Sequence, residues 1–241
     1  MSTVTYAPVA TAATRPVTAG EPTAASAPTI GGMPRYARAE REALADLLLA
    51  VGPDAPTVAE GWLTRDLAAH LVLRERRPDA AGGLLLPPLR GHAERVRRRI
   101  AARPYDELVA QVRRPPAWSP VSNRLVDELT NTMEFFIHHE DVRRARPGWL
   151  PRDLGAGLQS ALWRRAAPLA RLALRRFPAD LYVQAPGFGE LSVGRGGEPL
   201  RVVGAPGELT LFLSGRQRVA RVQLDGAATA ARRLRSANLG M

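Results

Sequence analysis

The spacing of apolar residues changes at Pro178, and no other feature of the chain restricts its fold as strongly. Upstream, Ala39, Ala43, Leu44, Leu47, Leu48 and Val51 recur at the helical interval, and Gly52-Pro53 stops the pattern. Leu63, Leu67, His70 and Leu71 share the face of a second helix, with Thr64 as the expected N-cap and Asp66 in its first turn near the positive end of the dipole. A third helical section is predicted from His92 to Arg114 with a break at Arg103-Pro104. A fourth follows from Ser122 to Ala145, with Leu125, Val126, Leu129, Met133, Phe136 and Ile137 as its apolar arc. A fifth runs from Asp153 to Arg176, with Leu158, Leu162, Leu169 and Leu172 inward. Residues 77–91 hold too many breakers for a helix and too many leucines for a free linker, so they read as a loop packed over the core.

Downstream of Pro178 the chain turns to short β-type runs separated by glycine-rich turns: Leu181–Gln184, Leu191–Val193 and Leu200–Val203. Ala205–Leu213 then reads as a helix, Val219–Leu224 as a strand and Ala227–Ala237 as a final helix. The expected architecture is α+β, with a helical domain over residues 33–178 and a small α+β domain over 179–241. Residues 1–32, rich in Ala, Thr, Pro and Ser with almost no charge, read as a disordered extension that lacks the features of a secretory signal.

Composition narrows the chemistry. The chain has no cysteine, so disulfides and thiolate metal sites are excluded and any metal must be held by imidazole and oxygen. All 34 basic residues are arginine, which excludes lysine Schiff-base chemistry. The net charge of +11 favours anions. The arginines are scattered over helix faces rather than gathered beside exposed aromatics, which ranks small anionic ligands ahead of nucleic acid. No apolar run approaches the roughly 20 residues of a spanning helix, so no membrane partner is expected and the protein reads as cytoplasmic.

Against that background, Glu134 and His138 stand four apart and face the same way on a helix, with Asp141 one turn further in the same stripe. His70, set among leucines on an earlier helix, is a third candidate ligand. Two helices presenting His, Glu and His to one another make an incomplete coordination shell with room for water or substrate. The plainer alternatives are a core histidine satisfied by a carbonyl and the border of a solvated charged face. His139 points away from the stripe, and His92 is expected to be exposed.

Two stretches carry a family resemblance. Gly61-Trp-Leu-Thr-Arg-Asp-Leu-Ala-Ala-His70, followed by Glu134-x-x-x-His138-x-x-Asp141, resembles the N-terminal domain of mycothiol-dependent maleylpyruvate isomerases, within the DinB-like four-helix superfamily of metal-binding proteins. Val203-Gly-Ala-Pro-Gly-Glu-Leu-Thr-Leu-Phe-Leu-Ser-Gly-Arg216 resembles their second domain. The resemblance implies a DinB-like four-helix bundle and a divalent metal, usually zinc, held by His70, Glu134 and His138. It also implies mycothiol as the thiol cosubstrate and Arg216 as the catalytic residue facing a small anionic or electrophilic substrate. The chemistry implied is that of an isomerase, in which the thiolate adds to an activated double bond and leaves after rotation, or of an S-transferase, in which it stays. The alternatives are a non-catalytic metal-binding or sensing protein on the same fold and a basic nucleic-acid-associated protein.

Overall fold

The structure, a computed structural model, describes residues 29–30, 33–34, 36–84, 86–119, 124–175, 177–194 and 196–239. Residues 1–28 of the expected extension lie outside the described residues, as does the expected helix start at Ser122. So do the side chains of Leu125, Val126 and Leu129 in the expected arc. The described chain opens with a two-residue antiparallel ladder, β1 (Thr29–Ile30) with β2 (Met33–Pro34).

The helical half comprises α1 (Tyr36–Val51), α2 (Thr64–Arg76), the single turn α3 (Pro78–Ala81), α4 (Arg90–Ala101), α5 (Tyr105–Arg113) and α6 (Arg124–Arg144). Residues 77–91, expected as a loop, instead form α3 followed by two 3-10 turns at Gly82–Leu84 and Pro87–Leu89. Proline fits the first turn of such short pieces, where its missing amide has no partner to lose. Thr64 does not cap α2. It is the first helical residue and its hydroxyl donates to the Gly52 carbonyl at 2.5 Å. The cap position is Leu63, whose amide donates to the Asp66 carboxylate at 3.1 Å, so the helix start is closed from the inside.

One core is built from α1, α2, α4, α5 and the face of α6 that carries Phe135 and Val142. A buried ion pair crosses it: Arg41 of α1 grips Glu75 of α2 with bonds of 2.8 and 2.6 Å and donates to the Val112 carbonyl of α5. Its guanidinium lies 4.1 Å above the Phe135 ring. These contacts satisfy two charges that would otherwise oppose burial. Glu128 of α6 accepts from the Tyr36 and Ala37 amides, each at 3.2 Å, and so closes the N-terminus of α1, whose first turn has no acidic residue of its own.

The second core takes Phe136 and Ile137 from the other side of α6 and joins them to α7 (Ala156–Leu174), a four-stranded sheet and α8 (Pro206–Leu213). Leu172, expected inward on α7, is 47% exposed because it falls outside the arc of Leu162, Ala166, Leu169 and Ala170. The sheet contains β3 (Asp180–Ala185), β4 (Gly189–Val193), β5 (Pro199–Val203) and β6 (Gln223–Gly226) in the order β4-β3-β5-β6. β3 pairs antiparallel with β4 across a turn at Gly187 (φ 79°), β3 runs parallel to β5, and β5 runs antiparallel to β6. The strand expected from Val219 begins at Gln223, because the amides of Val219 and Ala220 close a turn on the Arg216 carbonyl. α9 (Ala228–Ser236) ends the described fold and buries Leu234.

A buried ionic chain ties the cores together. Arg152 grips Glu40 of α1 with two bonds of 2.9 Å and donates to Glu140 of α6 at 2.6 Å. Glu140 accepts from Arg144, which in turn grips Glu208 of α8 at 2.8 and 2.6 Å. The result is a helix-rich α+β molecule in which α6 is the shared wall. Among the described residues no helix is long and apolar enough to cross a membrane.

Candidate metal centre

α6 turns one apolar face to each core, and the residues on the border between those faces form the site. Glu134 and His138 lie there, one turn apart, as their spacing dictates. α2 brings His70 across from them. Its position is fixed by the segment between α1 and α2: the Val58 amide donates to the Asp141 carbonyl of α6 at 3.0 Å, and Pro56 bridges to Leu63 at the start of α2. His70, Glu134 and His138 form the metal-capable group found among the described residues, with one ligand atom from each within 4.8 Å of the others. Glu134 Oε1 stands 3.3 Å from His70 Nε2 and 3.3 Å from His138 Nε2, so the two imidazoles converge on a single carboxylate oxygen. Trp62 packs 5.2 Å from the His70 ring, and the His70 and His138 rings meet edge to face at 5.2 Å.

The surroundings set the charge state of these groups. Burial disfavours a charged imidazole and lowers the pKa of His70, which leaves its ring neutral with a lone pair to donate. Burial alone would raise the Glu134 carboxyl, but hydrogen bonds with His138 and His70, and the charge of Arg74, hold it well below the usual carboxylate range. His138 behaves differently: burial opposes its charge, yet hydrogen bonds with Asp141 and Glu134 raise its pKa. Its Nδ1 lies 2.9 Å from Asp141 Oδ2, an arrangement in which Nδ1–H donates and Nε2 is left to face Glu134. Proton and metal would therefore compete for Nε2. The buried Nδ1 of His70 has no hydrogen-bond partner among the described residues.

Arg216 reaches this site through Asp141. Its Nε and Nη2 donate to the two oxygens of Asp141 at 3.0 and 2.8 Å, and its Nη1 donates to the Ser214 carbonyl at 2.6 Å. Burial would raise the pKa of Asp141, but His138 and Arg216 together lower it and keep it ionised. The residue that sequence reasoning set toward substrate is thus placed two links away from the convergence point, by the turn that follows α8. His139, beside His138, faces the opposite way and bonds Glu40 Oε2 at 3.0 Å. His92 sits within α4, 40% exposed, near Asp79.

Sequence reasoning passed over Arg74 and Asn131. Arg74 stands one turn beyond His70 on α2, and its guanidinium donates to the side chain of Asn131 and lies 3.6 Å from Glu134 Oε1. The signal was present in the spacing, since Arg74 follows His70 by four and Asn131 precedes Glu134 by three.

The sequence matches no protein-family model and no curated protein. Solved structures do match. The crystal structure of the mycothiol-dependent maleylpyruvate isomerase aligns with a TM-score of 0.54 at 16% identity, covering 79% of this chain and 90% of that one. A histidine-to-alanine mutant of the same enzyme gives a TM-score of 0.55 at 16% identity and the same coverage. The chain has the fold of mycothiol-dependent maleylpyruvate isomerase. The family resemblance read from the sequence is therefore matched at the level of the fold, over most of both chains.

Proposed function

We propose that this chain is a divalent-metal-binding protein of the mycothiol-dependent maleylpyruvate isomerase type, with zinc as the metal, acting with a low-molecular-weight thiol in isomerase or S-transferase chemistry. The observation that carries the reading is the convergence of His70 Nε2, Glu134 Oε1 and His138 Nε2 from two helices. In this reading α1, α2, α6 and the interrupted helix α4–α5 correspond to a DinB-like four-helix bundle.

His70, Glu134 and His138 would be the ligands, two imidazoles and one carboxylate, a donor set suited to zinc with a position left open. The metal, when bound, lowers the pKa of a thiol and holds the thiolate, which is the nucleophilic form. The chain's own groups prepare for this. Asp141 fixes the tautomer and orientation of His138, and Arg216 holds Asp141 ionised and in place. With its donors turned to Asp141 and Ser214, Arg216 acts as a positioning residue for His138. Mycothiol is the thiol suggested by the fold neighbours, and the electrophilic partner is a small anionic molecule.

The commitment of Arg216 to Asp141 also favours a second reading, a non-catalytic metal-binding or sensing protein on the same fold, which would keep the three ligands and need no arginine facing a substrate. Elemental analysis of the purified protein separates metal binding from a metal-free helical protein, with close to one divalent ion per chain expected and none in His70→Ala. Turnover of mycothiol with electrophilic carboxylates by the metal-loaded protein then separates the enzyme from the sensor.

A further inference from the structure

Resting on the metal-site reading above, we propose that Arg74 and Asn131 form a carboxylate-binding subsite beside the metal position, which selects an anionic second ligand. Arg74 is an uncommon neighbour for a cation site. Its side chain is only 15% exposed, and Glu134, a metal ligand in this reading, is the carboxylate within 4.0 Å of it among the described residues. Its other contact is Asn131, a neutral and fully buried residue of α6. A fixed guanidinium next to a carboxylate that must serve a metal weakens cation binding. Its charge is compensated once an anion binds to the guanidinium.

Charge balance gives the class of that anion. Two carboxylates, Glu134 and Asp141, face two guanidinium groups, Arg74 and Arg216, so the site is neutral by itself and holds two excess positive charges with a divalent cation. A thiolate offsets one of them. The second calls for another negative charge on the ligand, and the two arginines differ in their ability to receive it. Arg216 has Nε, Nη1 and Nη2 committed to Asp141 and Ser214. Arg74 directs Nη1 to Asn131 and Nε loosely to Glu134, while its Nη2 has no partner among the described residues. A planar fork with spare donors matches a carboxylate. Glu134 is 25% exposed, so part of the cluster meets solvent.

The test uses the full chain loaded with cobalt(II), whose visible spectrum reports anions near the metal independently of turnover. Maleate, a small dicarboxylate, is titrated into the wild type, Arg74→Gln and Arg74→Lys, with dimethyl maleate as the neutral control. The expected result is that Arg74→Gln binds maleate about 10–100-fold more weakly. Its cobalt(II) affinity should be unchanged or tighter, Arg74→Lys should recover part of the loss, and the ester should not distinguish the variants. Equal maleate binding by the wild type and Arg74→Gln overturns the subsite while leaving the metal site intact. Loss of cobalt(II) from Arg74→Gln also overturns it, since Arg74 would then be part of the scaffold. A wild type that binds no cobalt(II) sinks the metal reading itself.

Discussion

His138 and His139 are adjacent, each is 7% exposed, and each bonds a carboxylate, so replacing them one at a time isolates what a histidine on α6 faces. His138→Ala removes one of the three proposed metal ligands and the partner of Asp141, whose charge Arg216 still offsets. Loss of an outer partner of a ligand costs about 10–100-fold in metal affinity, and loss of the ligand itself should exceed that range. His139→Ala removes a 3.0 Å bond to Glu40, but Glu40 keeps its two bonds from Arg152. That change should cost about 1–3 kcal/mol of stability and leave metal affinity within about twofold. Linkage makes the contrast measurable in one assay. With free metal at 100 times the wild-type Kd, the wild type gains about 2.7 kcal/mol over its apo form. Urea denaturation with and without zinc should show that increment intact in His139→Ala on a lower baseline, and almost absent in His138→Ala. Chelator competition gives the affinities directly. Equal loss of the zinc increment in both variants would refute the assignment of faces on α6, and its retention in His138→Ala would remove that residue from the ligand set.

Three further outcomes are expected. Asp141→Asn should weaken zinc binding about 10–100-fold by removing the charge that His138 and Arg216 share, and unchanged affinity in chelator competition would refute the orienting role. Burial alone would raise Glu40 and Glu140, but His139 and Arg152 for the first and Arg144 for the second depress both below the ordinary 4.5. Their contribution to stability is therefore complete above 4.5 and lost as pH falls through the folded-state values. Glu40→Gln should cost about 3 kcal/mol near neutrality and flatten the acid decline in urea midpoints, and parallel profiles for wild type and variant would refute the linkage. Gly207→Ala on α8 would place a Cβ 2.8 Å from Leu154 Cδ1 and 3.1 Å from Phe136 Cζ, so a loss of about 1–3 kcal/mol in thermal unfolding is expected, and a neutral change would show that this contact within the second core yields easily.

The legible part of this protein was local. Apolar spacing located α1, α2, α6, α7 and the strands to within a few residues, because a helix or strand face is set by neighbours along the chain. The same arithmetic put Glu134, His138 and Asp141 in one stripe and turned His139 away. It erred where the backbone chose among local options of similar energy. Thr64 spends its hydroxyl on Gly52 rather than on capping, the amides of Val219 and Ala220 close a turn before the last strand starts, and the leucine-rich stretch after Arg77 winds into short helical turns.

By itself, then, the sequence determined the element types, the switch from helix to sheet near Pro178, the imidazole and carboxylate donors available in a chain without cysteine, and the pairing of Glu134 with His138. The tertiary structure decided which groups from different elements meet. It brought His70 to the α6 pair, sent Arg216 to Asp141, set Glu128 over the start of α1 and put Arg74 against Asn131 and Glu134. Helical periodicity fixes angles about one axis only. The distance between two axes depends on how buried side chains fill the space between them, and here the two cores on either side of α6 set it.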